Sequence, residues 1–288
     1  MTDRREFWSK ARKEEIARMC RDQGLRQAEP EVRRTTQPVT DLCSAPGGGR
    51  DRQLLRGQAF TVHALSETGW AFGETVADGY SGWIEASMLV PHFDAVPTHR
   101  VANARTYAKA ASGLKTPGDI TPLSMGSELV VLDEQDGWSR IEWTDGLQPR
   151  RRFVPSLHLV PIDRKEPDAV AVAARLLGTP YLWGGNSAFG IDCSGLVQIA
   201  CRACGIACPG DSDQQMAQLG ETLDPGTPPQ RGDLMFWKGH VGWVSGSDTL
   251  LHANAHAMAV TYEPLQDAIE RIAAQGDPVL RHARVTTP

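Results

Sequence analysis

Cys193 stands in the run Gly190-Ile191-Asp192-Cys193-Ser194-Gly195, at the start of an apolar helical pattern. In that pattern Leu196, Val197, Ile199, Ala200 and Ala203 face inward and Gly205 follows as a stop. A cysteine in the first turn of a helix meets unpaired backbone N–H groups and the positive end of the dipole, and both favour its thiolate. Free cysteine is more often a small buried hydrophobe, but the polar Asp-Cys-Ser setting argues for a nucleophile here. Such a thiol needs a base to take its proton and later an acid for the leaving group, and one histidine can serve as both near neutral pH. His240 opens the run His240-Val241-Gly242-Trp243-Val244, and His252 closes Thr249-Leu250-Leu251-His252. Adjacent antiparallel strands would bring these two rings within hydrogen-bond reach. His252 suits the third polar group that fixes the tautomer of the base, with His256 a nearby competitor for that role.

The elements that must position these groups come after Asp168. Ala169, Val170, Val172, Ala173, Ala174, Leu176 and Leu177 make an apolar helical face closed by Gly178 and Pro180, and residues 193–204 form the helix described above. The period then switches to two, and residues 233–237, 240–245, 249–253 and 257–262 read as four short strands. Helices followed by an antiparallel sheet predict an α+β domain over 168–288. Ahead of it the chain repeats itself. Gly57-Gln58-Ala59-Phe60-Thr61-Val62 leads through Gly69-Trp70 to Met88-Leu89-Val90-Pro91, and Gly126-Ser127-Glu128-Leu129-Val130-Val131 leads through Gly137-Trp138 to His158-Leu159-Val160-Pro161. Short β-rich runs broken by Gly and Asp predict two small all-β barrels, over 38–91 and 98–161, with linkers at 91–101 and 162–167. Residues 1–37 read as an N-terminal arm. Its stretch 7–25 has the pattern of a charged helix, and 26–38 has no period.

Composition narrows the function. The 288 residues are 41% hydrophobic and 23% charged with a net charge of −5, an ordinary globular balance without the basic field that nucleic acid or an anionic membrane would require. No run of about 18 apolar residues occurs, so no membrane-spanning helix is expected. The charged first 26 residues lack the apolar core of a secretory signal, which predicts a soluble, cytoplasmic protein with reduced thiols. Cys201, Cys204 and Cys208 fall on one helical face at spacings of three and seven. Apolar packing explains them better than a zinc site, and no cofactor is expected.

Five segments of the last 120 residues together resemble the NlpC/p60 family of cell-wall cysteine peptidases. They are Gly178-Thr179-Pro180-Tyr181-Leu182-Trp183-Gly184-Gly185, Asp192-Cys193-Ser194-Gly195-Leu196-Val197, Arg231-Gly232-Asp233-Leu234, Gly239-His240-Val241-Gly242 and Leu251-His252-Ala253. The resemblance implies a papain-like fold with Cys193 and His240 as catalytic pair, His252 as third member, and Tyr181 as an oxyanion donor beside the backbone N–H of Cys193. With its two SH3-like barrels the chain is similar to the subgroup that hydrolyses γ-D-glutamyl bonds to a diamino acid. That likeness implies a murein peptide substrate, L-Ala-γ-D-Glu-diamino acid, and places Asp192, Ser194, Trp183 and Tyr80 in its pocket. Tyr80 comes from Asp78-Gly79-Tyr80-Ser81-Gly82-Trp83 of the first barrel, whereas the second offers Arg150 and Phe153 at the matching places. Asp192 is also a natural N-cap for the Cys193 helix. Two readings compete: a non-catalytic module that binds the wall or a partner through its barrels, and an acyltransferase using the same Cys and His chemistry.

Overall fold

The computed structural model describes residues 3–6, 13–91, 96–144 and 150–286. The chain divides into two compact units, Met1–Arg164 and Lys165–Pro288.

In the first unit, β1 (Leu25–Thr35), β2 (Val39–Cys43), β3 (Arg50–Leu55), β4 (Ala59–Ser66), β5 (Trp70–Thr75), β6 (Ser81–Glu85) and β7 (Leu89–Pro91) form one antiparallel sheet, in the order β3-β2-β6-β5-β4-β1-β7. Leu42, Phe60, Val62 and Ile84 fill its core, and helix α1 (Lys13–Asp22) lays Cys20 against Cys43, Phe72 and Trp83. The second barrel is built from β8 (His99–Val101), β9 (Arg105–Lys109), β10 (Ile120–Ser124), β11 (Glu128–Leu129), β12 (Val131–Gln135), β13 (Trp138–Trp143), β14 (Arg150–Pro155) and β15 (Leu159–Pro161). These pair as β10-β9-β14-β13-β12 and β11-β8-β15. The internal repeat is structural. Gly57 and Gly126 share a left-handed φ, +82° and +87°, and each copy ends in a 3-10 turn, Ala86–Met88 or Ser156–His158, that feeds a Leu-Val-Pro strand.

One expected boundary differs. Residues 25–35, assigned to the N-terminal arm, are a strand of the first sheet, with Glu31–Arg34 paired to β4 and Arg33–Thr35 to β7. Its side-chain alternation is hidden because the register slips between Gln27 and Glu31, around Pro30, which has no N–H to give a ladder. The main chain holds this strand, and its mostly charged side chains carry no apolar period. Of the helix expected over 7–25, residues 7–12 lie outside the described residues, as do 92–95 of the first linker.

The second unit opens with α2 (Ala169–Ala174), capped by Asp168, whose carboxylate accepts the Ala171 N–H at 3.0 Å. A two-stranded hairpin, β16 (Asn186–Ser187) and β17 (Gly190–Ile191), leads into α3 (Cys193–Ala203) and then α4 (Ser212–Gln218). The sheet comprises β18 (Glu221–Thr222), β19 (Asp233–Trp237), β20 (His240–Gly246), β21 (Thr249–Asn254), β22 (Ala259–Pro264) and β23 (Arg281–Arg284), in the antiparallel order β18-β23-β19-β20-β21-β22. Four of these are the four expected strands. Helix α5 (Leu265–Ala273) packs Leu265, Ala268 and Ile272 against Met235, Trp237, Val244 and Leu250. Asp233 is buried, and its carboxylate accepts from Arg284 at 2.8 and 2.9 Å, from His282 at 2.9 Å and from the Gln230 N–H at 2.9 Å. That knot explains the polar Asp233 at the head of an otherwise apolar strand.

Candidate active site

Asp192 sets the geometry of the helix start. One carboxylate oxygen accepts the Gly195 N–H at 2.7 Å and the Ser194 hydroxyl at 2.9 Å, and the other accepts the Gly184 N–H at 2.9 Å. The cap therefore ties α3 to the Gly184-Gly185 turn. Residue 195 must be glycine for the same reason: a Cβ there would come within 2.6 Å of the Gly185 carbonyl and of Asn186 Oδ1. Cys193 follows the cap, and its thiol is directed at the Gly239 carbonyl at 3.9 Å.

His240 is placed by the hairpin between β19 and β20, in which Trp237 pairs with His240 across a two-residue turn carrying Gly239 at φ +69°. His252 lies on the neighbouring strand, completely buried. His240 Nε2 and His252 Nδ1 are 2.9 Å apart, and His252 Nε2 is 3.0 Å from Glu263 Oε2 on β22. Arg271, on α5, grips Glu263 with two bonds of 2.9 and 2.7 Å. Gly242 makes room for this line, because a Cβ there would sit 3.1 Å from that of His252. His256, the competing candidate, is exposed in the turn after β21.

Tyr181 is fixed by backbone. Its N–H donates to the Met258 carbonyl at 2.9 Å, and β-bridges join Pro180 to Ala259 and Tyr181 to Ile191. Met258 itself holds a positive φ of 52°, an uncommon state for a side chain without a local polar group. Burial, with Cys193 and Asp192 adding to it, pushes the Tyr181 phenol up to about 12, so it stays a donor.

Electrostatics correct one expectation. Burial, aided by the Asp192 charge, pushes the Cys193 thiol up to about 12, against the downward pull of the backbone N–H groups of Val241, Ser194 and Cys193. Burial also lowers His240 to about 3, with His252 and Arg271 adding to it, and lowers His252 to about 4 in spite of Glu263. Desolvation outweighs the helix terminus, and the resting pair is thiol plus neutral imidazole. The N–H groups aimed at sulfur then stabilise the thiolate once a proton moves.

A polarised thiol, a neutral imidazole and a retained phenol donor are the parts of covalent acyl chemistry. Residues 178–272 match the NlpC/P60 family, and residues 42–89 match the bacterial dipeptidyl-peptidase SH3 domain. A γ-D-glutamyl-L-lysine dipeptidyl-peptidase of Bacillus subtilis is 30% identical over 204 residues, 66% of this chain and 66% of that protein. The chain belongs to the NlpC/P60 family. Its second unit is a cysteine-type hydrolase domain. Dipeptidyl-peptidase 6 of Lysinibacillus sphaericus is 34% identical over 107 residues, 35% of this chain and 36% of its own length. The chain thus spans about two thirds of one of these curated relatives and about a third of the other. A solved NlpC/P60 family protein of Bacillus cereus shares the fold, with a TM-score of 0.74 at 21% identity over 89% of this chain and 100% of that one.

Within the second unit of this NlpC/P60 chain, Cys193, Asp192 and Ser194 share one helix start and His240 and His252 share one hydrogen bond. Trp183, 65% exposed, stands just before the Gly184 that Asp192 binds. Tyr80 belongs to the first unit and is 4% exposed there, packed with Leu42, Leu54 and Phe60, with the Arg52 guanidinium 5.1 Å from its ring. Two residues escaped the sequence reading, Glu263 and Arg271. Strand parity held a signal for the first: Thr261 pairs with His252, and Glu263, two residues on, shares its face. Arg271 becomes visible only when α5 folds back along the sheet.

Among the described residues no helix is long and apolar enough to cross a membrane, and no group of three or more His, Cys, Asp or Glu is arranged to hold a metal.

Proposed function

We propose that this protein hydrolyses the γ-D-Glu–diamino acid bond of murein peptides that carry a free N-terminal L-Ala, in the cytoplasmic recycling of wall peptides. The observation that carries the reading is the His240–His252 hydrogen bond, with the Cys193 thiol directed at the carbonyl of Gly239 just before His240, in a chain whose relatives are named γ-D-glutamyl-L-lysine dipeptidyl-peptidase and dipeptidyl-peptidase 6. In this mechanism His240 takes the thiol proton as Cys193 Sγ attacks the γ-carbonyl of D-Glu. Tyr181 and the Cys193 N–H hold the oxyanion, and His240 returns the proton to the departing amine. Water, activated by the same imidazole, then hydrolyses the thioester and frees the thiol.

The free amine is the finer part of the proposal. A small ammonium group is held best by a carboxylate beside an aromatic wall, and Asp192 and the exposed Trp183 supply both. The Gly195 N–H and the Ser194 hydroxyl fix one Asp192 oxygen and the Gly184 N–H fixes the other, so the carboxylate is held in one orientation toward an ammonium group. Mass spectrometry of the protein incubated with L-Ala-γ-D-Glu-meso-diaminopimelate tests the bond: release of L-Ala-D-Glu is expected, and an intact peptide refutes the reading. Comparison with the N-acetyl peptide tests the amine. A charged hydrogen bond of about 1.5–3 kcal/mol predicts about a 10- to 100-fold loss of kcat/KM on acetylation, and equal rates would overturn this part alone.

A further inference from the structure

The line of hydrogen bonds does not stop at His252. It continues to Glu263 at 3.0 Å and ends on Arg271, which bonds both Glu263 oxygens at 2.9 and 2.7 Å. Each link constrains the proton on the next. The Arg271 guanidinium holds the Glu263 carboxyl below its ordinary range, against desolvation, so Glu263 is an acceptor only. His252 must then carry its proton on Nε2 and donate it. Its Nδ1 is left as a lone pair, which can only accept from His240 Nε2–H. His240 keeps Nδ1 as its basic nitrogen.

We infer that Glu263 and Arg271 are positioning residues that set the tautomers of His252 and His240 and so leave His240 Nδ1 free to take the Cys193 proton. The inference rests on Cys193 and His240 being nucleophile and base, and not on which peptide is cut. The charged and titratable groups around His252 agree with it: Glu263 favours a proton on Nε2, while Arg271 and His256 disfavour a second proton and the positive charge it would bring to the ring. Strand β22 also carries Ala259, whose bridge to Pro180 anchors the Tyr181 segment. One strand thus supports both the base and the oxyanion donor.

The distinguishing variant is the conservative one. Glu263→Gln keeps size and shape, but its amide satisfies its own acceptor on Arg271 and turns N–H toward His252 Nε2. That inverts both tautomers and leaves a proton on His240 Nδ1. In the Ser-His-Asp triad the equivalent change lowers kcat about 10⁴-fold with geometry intact. The double variant Glu263→Ala, Arg271→Ala lets water donate or accept, so it should be less impaired than Glu263→Gln. A structural prop would give the opposite order. The measurements are ¹⁵N chemical shifts of labelled histidine rings, melting temperature, and the rate at which iodoacetamide alkylates Cys193, followed on the peptide that contains it. Expected are an Nε2–H tautomer for His240 in the parent protein, an Nδ1–H tautomer in Glu263→Gln, and a fall in Cys193 alkylation at neutral pH by about 10²–10⁴-fold, the range of a lost general base. An unchanged tautomer, or Glu263→Gln the milder of the two variants, overturns the inference. Neither readout uses a murein peptide, so failure of the substrate assignment leaves this result readable.

Discussion

Helix α3 carries thiols at both ends, and they differ in everything except residue type. At its N-terminus Cys193 receives three backbone N–H groups, one of them from Val241 next to His240, and directs its thiol at the Gly239 carbonyl. At its C-terminus Cys201 and Cys204, with Cys208 just beyond, are 0%, 2% and 6% exposed. The largest influence on Cys201 is the neighbouring Cys208 thiol, which together with burial raises it well above an ordinary cysteine. Cys193 and Cys201 are both raised, yet only Cys193 stands where backbone donors offset the loss of its proton. Nucleophilicity belongs to the place on the helix, through the unpaired N–H groups of its first turn, and not to cysteine.

The largest effects break the N-terminal end. Cys193→Ala and His240→Ala should each reduce turnover of L-Ala-γ-D-Glu-diaminopimelate to background, a loss of at least about 10⁴-fold by analogy with nucleophile and base removal in other covalent hydrolases. His252→Ala should leave a measurable rate, lower by about 10²–10³-fold, because it orients and polarises without touching the scissile bond. Steady-state kinetics on the three variants checks the order. His252→Ala as dead as Cys193→Ala would give His252 a direct part in proton transfer.

A smaller effect comes from pH. His240 at about 3 and His252 at about 4 lie below the ordinary imidazole value of about 6.5. Protonating the base abolishes its function, and a lowered value keeps it neutral to more acid pH. The acid limb of kcat/KM should therefore fall well below pH 6.5. Stability follows the same sign: each histidine binds its proton more readily when unfolded, so its contribution is full above about 6.5 and is lost as pH falls toward the folded values. Glu263 and Asp233, both lowered, add losses in the carboxylate range below that. Melting temperature against pH should decline from about 6.5 downward, and a flat profile to pH 4 would contradict the buried neutral pair.

The sequence was most informative where chemistry and local pattern coincide. Cys193 at a helix start, His240 after a glycine turn and His252 on the next strand are each set by pattern within about ten residues, and the His240–His252 hydrogen bond follows from their adjacent strands. The repeat of Gly57 and Gly126 exposed the two barrels for the same reason, since each copy turns through a left-handed glycine two residues before a strand. What stayed hidden depends on distance or on competing energies. Strand β1 is recruited by main-chain pairing across a bulge, with no apolar period to announce it. Arg271 reaches Glu263 only after Pro264 ends β22 and α5 turns back. The protonation of Cys193 could not be read at all, because motif and dipole argue for a thiolate while burial, visible only in the fold, argues against it.

The smallest expected effect sharpens the comparison from the other end of α3. Cys-x-x-Cys is a zinc-ligand spacing, and Cys201, Cys204 and Cys208 are close enough in sequence to suggest a site. Zinc binds thiolate, and burial opposes that state for Cys201, whose raised thiol is engaged with Cys208. Cys208 also directs its sulfur at the Pro209 carbonyl at 3.5 Å. The role left for these side chains is volume. Cys201→Ala or Cys208→Ala removes one buried sulfur and should cost about 1–2 kcal/mol of stability through the small cavity left behind. Peptide hydrolysis at 25 °C should be unchanged. Dialysis against EDTA should likewise leave both kcat and melting temperature as they were. Loss of either on dialysis, restored by zinc, would show that the two ends of the helix differ by a metal and not only by the donors around sulfur.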